Sequence, residues 1–184
     1  MAAPKALWFT NDEEACRLLA ADPFALLVGF ALDQQVTVPT AFAGPQKIKE
    51  RLGTLDPATI ARTDLVEVFK QKPAVHRFPG SMAQRVQDLA QHVVDEYGGD
   101  AAKLWTEAKD SDDLKQRLAA LPGFGEMKIK SMGAVLSKQF GIEKAAPLAP
   151  NHPTLGDVDS AAKLDEYQSW KRAYKSAGRA NKST

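Results

Sequence analysis

The spacing of apolar residues is the feature that most limits what this chain can fold into. Apolar side chains recur every three or four residues through most of the sequence, and no stretch alternates apolar with polar residues long enough to form a half-buried strand. The clearest case covers residues 81–97, where an apolar stripe begins at Met82 and Val86. Ser81 is the expected N-cap of this helix, and Gly98 is its expected stop. The pattern predicts an all-α fold.

Residues 23–32 are apolar on nearly every side of the predicted helix, so this helix should lie in the core. Asp22 followed by Pro23 is typical of a helix start, and the polar pair Gln34 and Gln35 ends the apolar run. Further helices are predicted up to Leu52 and over residues 63–70, 112–121, 126–139 and about 160–176, with loops at 71–80 and 145–153.

Composition excludes several classes of protein. With 184 residues the chain has room for one compact domain. Its single cysteine, Cys16, excludes an internal disulfide, a thiolate zinc site and a four-cysteine iron–sulfur cluster. The three histidines show no metal-binding spacing. We therefore expect no cofactor and no metal. The longest apolar stretch is too short to span a membrane and no export signal is present, which predicts a soluble cytoplasmic protein without a membrane partner.

Between two predicted helices lies Leu121-Pro-Gly-Phe-Gly125, a segment short enough only for a tight hairpin. Gly123 and Gly125 let the backbone turn and approach another molecule closely, while the next helix presents unpaired amides that suit a phosphate. Lys128 and Lys130 add positive charge beside them. The alternative is that the hairpin merely joins two antiparallel helices, with Phe124 filling the core.

This hairpin sequence, with the helix that follows it, resembles the helix–hairpin–helix element of the HhH-GPD superfamily of DNA glycosylases. Residues 22–36 resemble an early helix of the same enzymes, especially of the 3-methyladenine glycosylase branch. A third stretch, residues 76–85 together with Tyr97-Gly-Gly99, is similar to a little-characterised bacterial subgroup of the superfamily. The matches occur in family order.

The resemblance implies two helical lobes with a DNA-binding cleft between them. One lobe would hold residues 1–45 and 140–176, and the other residues 46–139, including the hairpin element at 112–139. Residues 177–184 are expected to form a frayed basic tail.

The resemblance also implies roles for single residues. Gly123, Phe124, Gly125, Lys128 and Lys130 would contact DNA phosphates. Gln34 and Gln35 match the place from which the family fills the gap left by a flipped nucleotide; alternatively they only satisfy the end of their helix. Aromatic faces for the base would come from Trp8, Phe30 and Trp105, although core positions are the usual place for such side chains.

The family's catalytic aspartate follows the hairpin. Asp157 is the first candidate and Asp159 the second, while either could instead cap the last helix. Bifunctional members use a lysine where Met127 stands here, and Lys128 lies about 100° further round the helix. The resemblance therefore implies a monofunctional hydrolase that uses water as nucleophile.

The resemblance thus implies a monomeric base excision repair glycosylase that acts on double-stranded DNA in association with the nucleoid and removes a damaged, alkylated base. The basic segment after Trp170, with Lys171, Arg172, Lys175 and Arg179, would add to DNA binding. The alternative is a non-catalytic helix–hairpin–helix protein that recognises distorted DNA.

Overall fold

The computed structural model describes residues 2–182, and in the last helix it describes side chains only as far as residue 179. Within that range every regular element is a helix and no strand is present, which confirms the predicted all-α class. The elements in chain order are α1 (Glu13–Ala21), α2 (Pro23–Leu32), α3 (Val38–Leu52), α4 (Pro57–Ala61), α5 (Val66–Lys70), α6 (Pro79–Tyr97), α7 (Lys103–Thr106), α8 (Ser111–Ala119), α9 (Glu126–Lys138), two 3-10 turns (Glu143–Leu148 and Leu155–Asp157) and α10 (Ala161–Lys182).

Helix α2 lies at the centre of the core, as its composition predicts. Every residue of it from Phe24 to Leu32 is buried. Its start is fixed by Asp22, whose carboxylate accepts hydrogen bonds from the Phe24 and Ala25 amides at 2.9 and 3.3 Å. Because this helix has no solvent-facing side, other helices must surround it, and α1, α3 and α6 all pack against it.

Helices α2 and α3 approach each other closely through glycine. A Cβ atom on Gly29 would lie 2.4 Å from a ring carbon of Phe42 on α3. The Phe42 ring is itself held edge-on between Phe9 and Phe30, with centroid distances of 5.1 and 5.2 Å. Gly29 is therefore required for close packing rather than for a turn.

Several boundaries differ from the sequence prediction. Helix α6 begins at Pro79, not at Ser81, because proline suits the first helical turn; the Ser81 hydroxyl donates to the Phe78 carbonyl at 3.4 Å instead of capping the helix. Helix α10 continues to Lys182, so the predicted frayed tail is helical up to that residue, while Ser183 and Thr184 lie outside the described residues. The short helices α1 and α4 were absent from the prediction.

The segment after α9 folds back along that helix. Both 3-10 turns pack against α9, and two glycines permit the close contact. A Cβ on Gly133 would meet the Leu148 side chain at 2.5 Å, and one on Gly156 would meet the Ala134 carbonyl oxygen at 2.6 Å. This packing holds the loop that carries Asp157. The division of the chain into two lobes stays a prediction.

In the part of the chain that the structure describes, no single helix is both long and apolar enough to cross a membrane. Helices α1 and α2 meet those criteria only as a pair, which is bent by 117°.

Gly29→Ala should lower the free energy of unfolding by about 1–3 kcal/mol, because the added methyl group overpacks the α2–α3 contact and the Phe42 ring is confined by two other rings. Urea unfolding measures the change as a lower midpoint with an unchanged slope. Gly178→Ala is the matched control, since it lies on α10 with nothing within 4 Å, and it should be neutral or slightly stabilising. Equal stability of Gly29→Ala and the original protein would contradict the packing argument.

Candidate nucleic-acid interface

The segment between α8 and α9 is a tight hairpin. Gly123 has a φ angle of +77°, in the left-handed region that glycine adopts readily, and the Phe124 amide donates to the Leu121 carbonyl at 3.2 Å. Gly125 then starts α9, and no side chain caps this helix end. The first-turn amides of α9 consequently have no side-chain acceptor among the described residues, which leaves them available to an anion.

The hairpin is also anchored to the core through Phe124, as the alternative interpretation predicts, while contact of the hairpin with DNA stays a prediction. The Phe124 side chain is only 7% exposed and its ring lies 6.4 Å from that of Phe30. The Lys128 ammonium lies 5.9 Å from the Phe124 ring centroid and donates to the Ala31 carbonyl, 3.4 Å away, near the end of α2. Burial lowers the pKa of Lys128, and the neighbouring Asp33 carboxylate opposes that shift. Lys130 is more exposed and pairs with Glu126 at 3.3 Å.

The two glutamines after α2 have different environments. The side-chain oxygen of Gln34 accepts a hydrogen bond from Arg85, whose guanidinium packs so closely on Gly123 that a Cβ there would lie 2.8 Å from it. Gln35 is exposed and has a φ angle of +56°, which is unusual for a residue with a side chain. Gln34 is thus fixed to the protein, whereas Gln35 projects to the surface.

His76 is a buried side chain that holds the loop of the glutamine pair in place. It is 1% exposed, and its Nδ1 accepts a hydrogen bond from the Phe78 amide at 3.0 Å. The ring proton therefore lies on Nε2, which donates to the Gln34 carbonyl at 3.0 Å. Burial lowers the pKa of His76, so the imidazole stays neutral and positions the glutamine loop.

Asp157 is held by two groups from different parts of the chain. One carboxylate oxygen accepts from Lys138 on α9 at 2.7 Å, and the other accepts from the Thr154 amide at 2.9 Å. Partial burial alone would raise the pKa of Asp157, but these hydrogen bonds and the Lys138 charge outweigh it and hold the pKa below the usual value. The side chain is therefore a carboxylate at neutral pH.

Neither aspartate caps α10. Asp157 instead forms a capping box with Thr154 around the 3-10 turn Leu155–Asp157. The Ser160 hydroxyl accepts from the Lys163 amide at 3.2 Å and takes the capping position, while Asp159 is exposed to solvent.

A cavity of about 710 Å³ opens beside Asp157, between the loop at residues 149–158 and α10. Its wall is aromatic: the rings of His152 and Trp170 stack at 5.7 Å and 17°, and Tyr167 stacks on Trp170 at 6.0 Å and 27°. These three side chains were missed as site residues. The spacing of Tyr167, Trp170 and Tyr174 by three and four residues could have indicated an aromatic face on α10, but not what lies opposite it.

Tyr167 links this cavity to the hairpin side of the molecule. Burial raises the pKa of Tyr167 to about 12, with further contributions from the negative charges of Asp33 and Asp157. Asp33, the residue just before the glutamine pair, was not predicted as part of a site. Burial raises the pKa of Asp33, and the positive charges of Lys171, Lys128 and Lys175 counteract part of that effect. Electrostatic interactions thus connect Lys128 to Asp33, and Asp33 and Asp157 to Tyr167.

The aromatic residues chosen from the sequence lie elsewhere. Phe30 and Trp105 are 1% and 5% exposed and are core side chains, which leaves their ring faces covered. Trp8 is partly buried against the core, and a role for it in base contact stays a prediction. Among the described residues, no group of three or more His, Cys, Asp or Glu side chains is placed to hold a metal ion.

In a comparison with family models, residues 28–179 match the HhH-GPD superfamily base excision DNA repair protein. No curated protein and no solved structure matches the chain. The matched range contains the glutamine pair, the hairpin, the Asp157 loop and most of α10.

Lys138→Gln should raise the pKa of Asp157 toward the ordinary aspartate value of about 3.9, because the ammonium that favours the charged form is removed. Carboxyl ¹³C NMR titration measures this. The pKa of Asp157 is lower in the native protein than in the unfolded chain. The interaction therefore stabilises the fold at pH values above the ordinary aspartate pKa, and this stabilisation is lost as the pH falls through the native pKa. Partial exposure of both side chains limits the gain to less than about 1 kcal/mol.

The matched control for this experiment is Lys130→Gln, which removes the same charge from the exposed pair with Glu126. It should leave the titration of Asp157 unchanged. If Lys138→Gln also leaves it unchanged, the Thr154 amide alone holds the carboxylate.

Proposed function

The chain belongs to the HhH-GPD superfamily of base excision DNA repair proteins, whose members are mostly DNA glycosylases, and we propose that it hydrolyses the N-glycosidic bond of a damaged base flipped out of duplex DNA. One observation carries this proposal: an aspartate held as a carboxylate faces a cavity with aromatic walls. An alkylated purine is the proposed base, because electron-poor rings stack well on aromatic faces.

DNA binding by this family is supported here by the geometry of the hairpin. The uncapped first turn of α9 and the left-handed Gly123 present main-chain amides to a phosphate of the damaged strand. Lys130 adds positive charge at the surface, whereas Lys128 acts from a partly buried position. Gln35, exposed beside the hairpin corner, enters the duplex and takes the place of the flipped nucleotide.

The reaction follows from what Asp157 and the cavity offer. The base lies against Trp170 and the sugar lies next to the Asp157 carboxylate. As the bond from C1′ to the base nitrogen breaks, its electron pair leaves with the base and the sugar becomes oxocarbenium-like. The negative charge of Asp157 stabilises that sugar and orients water, which adds to C1′ and passes a proton through the Asp157 carboxylate to solvent. The products are the free base and an abasic site.

Strand cleavage through a lysine adduct is not part of the proposed activity. Met127 occupies the position of the lysine in bifunctional members, and its side chain is 79% exposed. The Lys128 ammonium is directed to the Ala31 carbonyl at the end of α2 instead. Water is therefore the proposed nucleophile.

A second candidate, a DNA-binding protein without catalysis, is favoured by one observation. Both oxygens of Asp157 already accept hydrogen bonds, from Lys138 and Thr154, as expected of a carboxylate whose role is structural. The same contacts would also orient a carboxylate for catalysis, so only an activity measurement separates the two candidates.

The test of the proposed function is release of bases from duplexes that carry 3-methyladenine, hypoxanthine, uracil or 8-oxoguanine, followed by alkaline cleavage at abasic sites. We expect release of the alkylated base. Asp157→Asn should slow this reaction by about 10²–10⁴-fold, as for loss of a positioned acid–base group, and Asp159→Asn should retain activity because Asp159 does not line the cavity. Duplex binding by Asp157→Asn without base release would support its catalytic role.

Two further outcomes would contradict the proposal. Binding of damaged duplex with no base release from any substrate would favour the non-catalytic alternative. A covalent DNA adduct trapped by borohydride would contradict the monofunctional assignment, and loss of that adduct in Lys128→Gln would identify the amine.

Trp170→Ala tests the aromatic wall separately from Asp157. Stacking contributes about 1–3 kcal/mol per base, so this variant should raise KM for the damaged duplex or lower kcat/KM severalfold or more. Tyr174→Ala is the matched control, because Tyr174 stacks on Trp170 at 5.4 Å but does not line the cavity. Equal effects of the two variants would contradict a base contact by Trp170.

A further inference from the structure

A groove of about 550 Å³ lies along a different face of α10 from the aromatic cavity. Positive charge dominates its lining, and we call it the basic groove. Gln35 lines it together with five cations, Arg77, Lys171, Arg172, Lys175 and Arg179, and no carboxylate side chain lines it among the described residues. Two separate parts of the chain therefore contribute cations to one concave surface.

Four cations of the basic groove are not in salt bridges with the described side chains. Within the described side chains, none of Arg77, Lys171, Arg172 and Lys175 makes a salt bridge, whereas Lys130, Lys138 and Lys163 each do. Arg77 lies over the Phe78 ring at 4.9 Å, and Arg172 donates to the Ser169 hydroxyl. The five cations that line the groove outnumber the one nearby carboxylate, Asp33, so the groove keeps a net positive charge, which suits a polyanion.

The arrangement of these cations indicates a linear ligand. Lys171, Lys175 and Arg179 follow one another at intervals of four residues, which spaces them at about 6 Å along the helix axis. A single small anion would use only one or two of them. A nucleic-acid strand carries charge at regular intervals and can use the whole row.

The basic groove lies next to the glutamine pair. Gln34 accepts from Arg85, which packs on Gly123 of the hairpin, while the adjacent residue Gln35 lines the groove. The glutamine pair therefore stands between the hairpin and the basic groove. A residue that enters a duplex in place of a flipped nucleotide has one strand on each side.

We propose that the basic groove binds the backbone of the DNA strand opposite the damaged base, so that the hairpin and α10 hold the two strands on either side of the glutamine pair. This inference rests on the proposed binding of damaged duplex, but not on base release. It assigns duplex selectivity to α10.

The first experiment compares DNA binding by Arg172→Gln/Lys175→Gln with that of the original protein. Fluorescence anisotropy measures the affinity for a duplex with a central abasic analogue and for the same damaged strand alone, over a range of salt concentrations. We expect at least a tenfold loss for the duplex, a salt slope smaller by about 1–2, and little change for the single strand.

The matched control is Arg62→Gln/Lys70→Gln, which removes two exposed cations outside the groove. It should change neither affinity appreciably. Gly123→Ala should weaken binding of both DNA forms, because its φ angle is strained for alanine and the added Cβ would displace Arg85. Equal losses for duplex and single strand in the groove variant, or a loss no larger than in the control, would overturn the inference.

The second experiment identifies the contacted strand directly. Cys16 is buried, so Lys175→Cys supplies one accessible thiol, which can react with a haloacetamide group placed on the backbone of either strand. We expect cross-linking to the strand opposite the abasic analogue, while Lys70→Cys should give none. Preferential cross-linking to the damaged strand would overturn the assignment, as would absence of DNA binding by the original protein. Binding of duplex without base release would contradict only the proposed activity.

Discussion

Complete burial of α2 is the constraint on which the rest of the structure depends. A helix that is apolar all round must be enclosed, and α1, α3 and α6 enclose it. The close approach at Gly29 fixes the distance between α2 and α3 and leaves little freedom for α2 to shift along its axis. The carboxyl end of α2 is therefore a rigid point, and the residues that follow it occupy defined positions on the surface.

Side chains from other segments form hydrogen bonds at this end of α2. Lys128 of the hairpin helix donates to the Ala31 carbonyl. His76 donates to the Gln34 carbonyl, and Arg85 donates to the Gln34 side chain. Each of these donors comes from a segment distant in sequence. Their convergence explains why the hairpin, the glutamine pair and the basic groove lie side by side.

Two aspartates have pKa values shifted in opposite directions by their surroundings. Asp157 has its charged form stabilised by Lys138 and by a main-chain amide, so its pKa is lowered. For Asp33, burial dominates and raises the pKa despite nearby lysines. Burial is the main cause that raises the pKa of Tyr167 to about 12, and the negative charges of both carboxylates raise it further. Such opposed shifts within one region are typical of functional sites, and they also occur in structural networks.

The sequence by itself determined what depends on neighbouring residues: the helical class, the Asp22 cap, the central position of α2 and the glycine bend at Gly123, because helix propensity, capping and backbone freedom are local. It also pointed to Phe30 and Trp105 for base contact, but both lie in the core, and it did not indicate the cavity formed by His152, Tyr167 and Trp170. Only the tertiary structure brought Trp170 to His152, Lys138 to Asp157, and Arg77 to the groove that Lys175 also lines. Such contacts depend on how rigid helices pack against a common core, and the spacing of residues along one helix does not reveal which side chains of another helix it will meet.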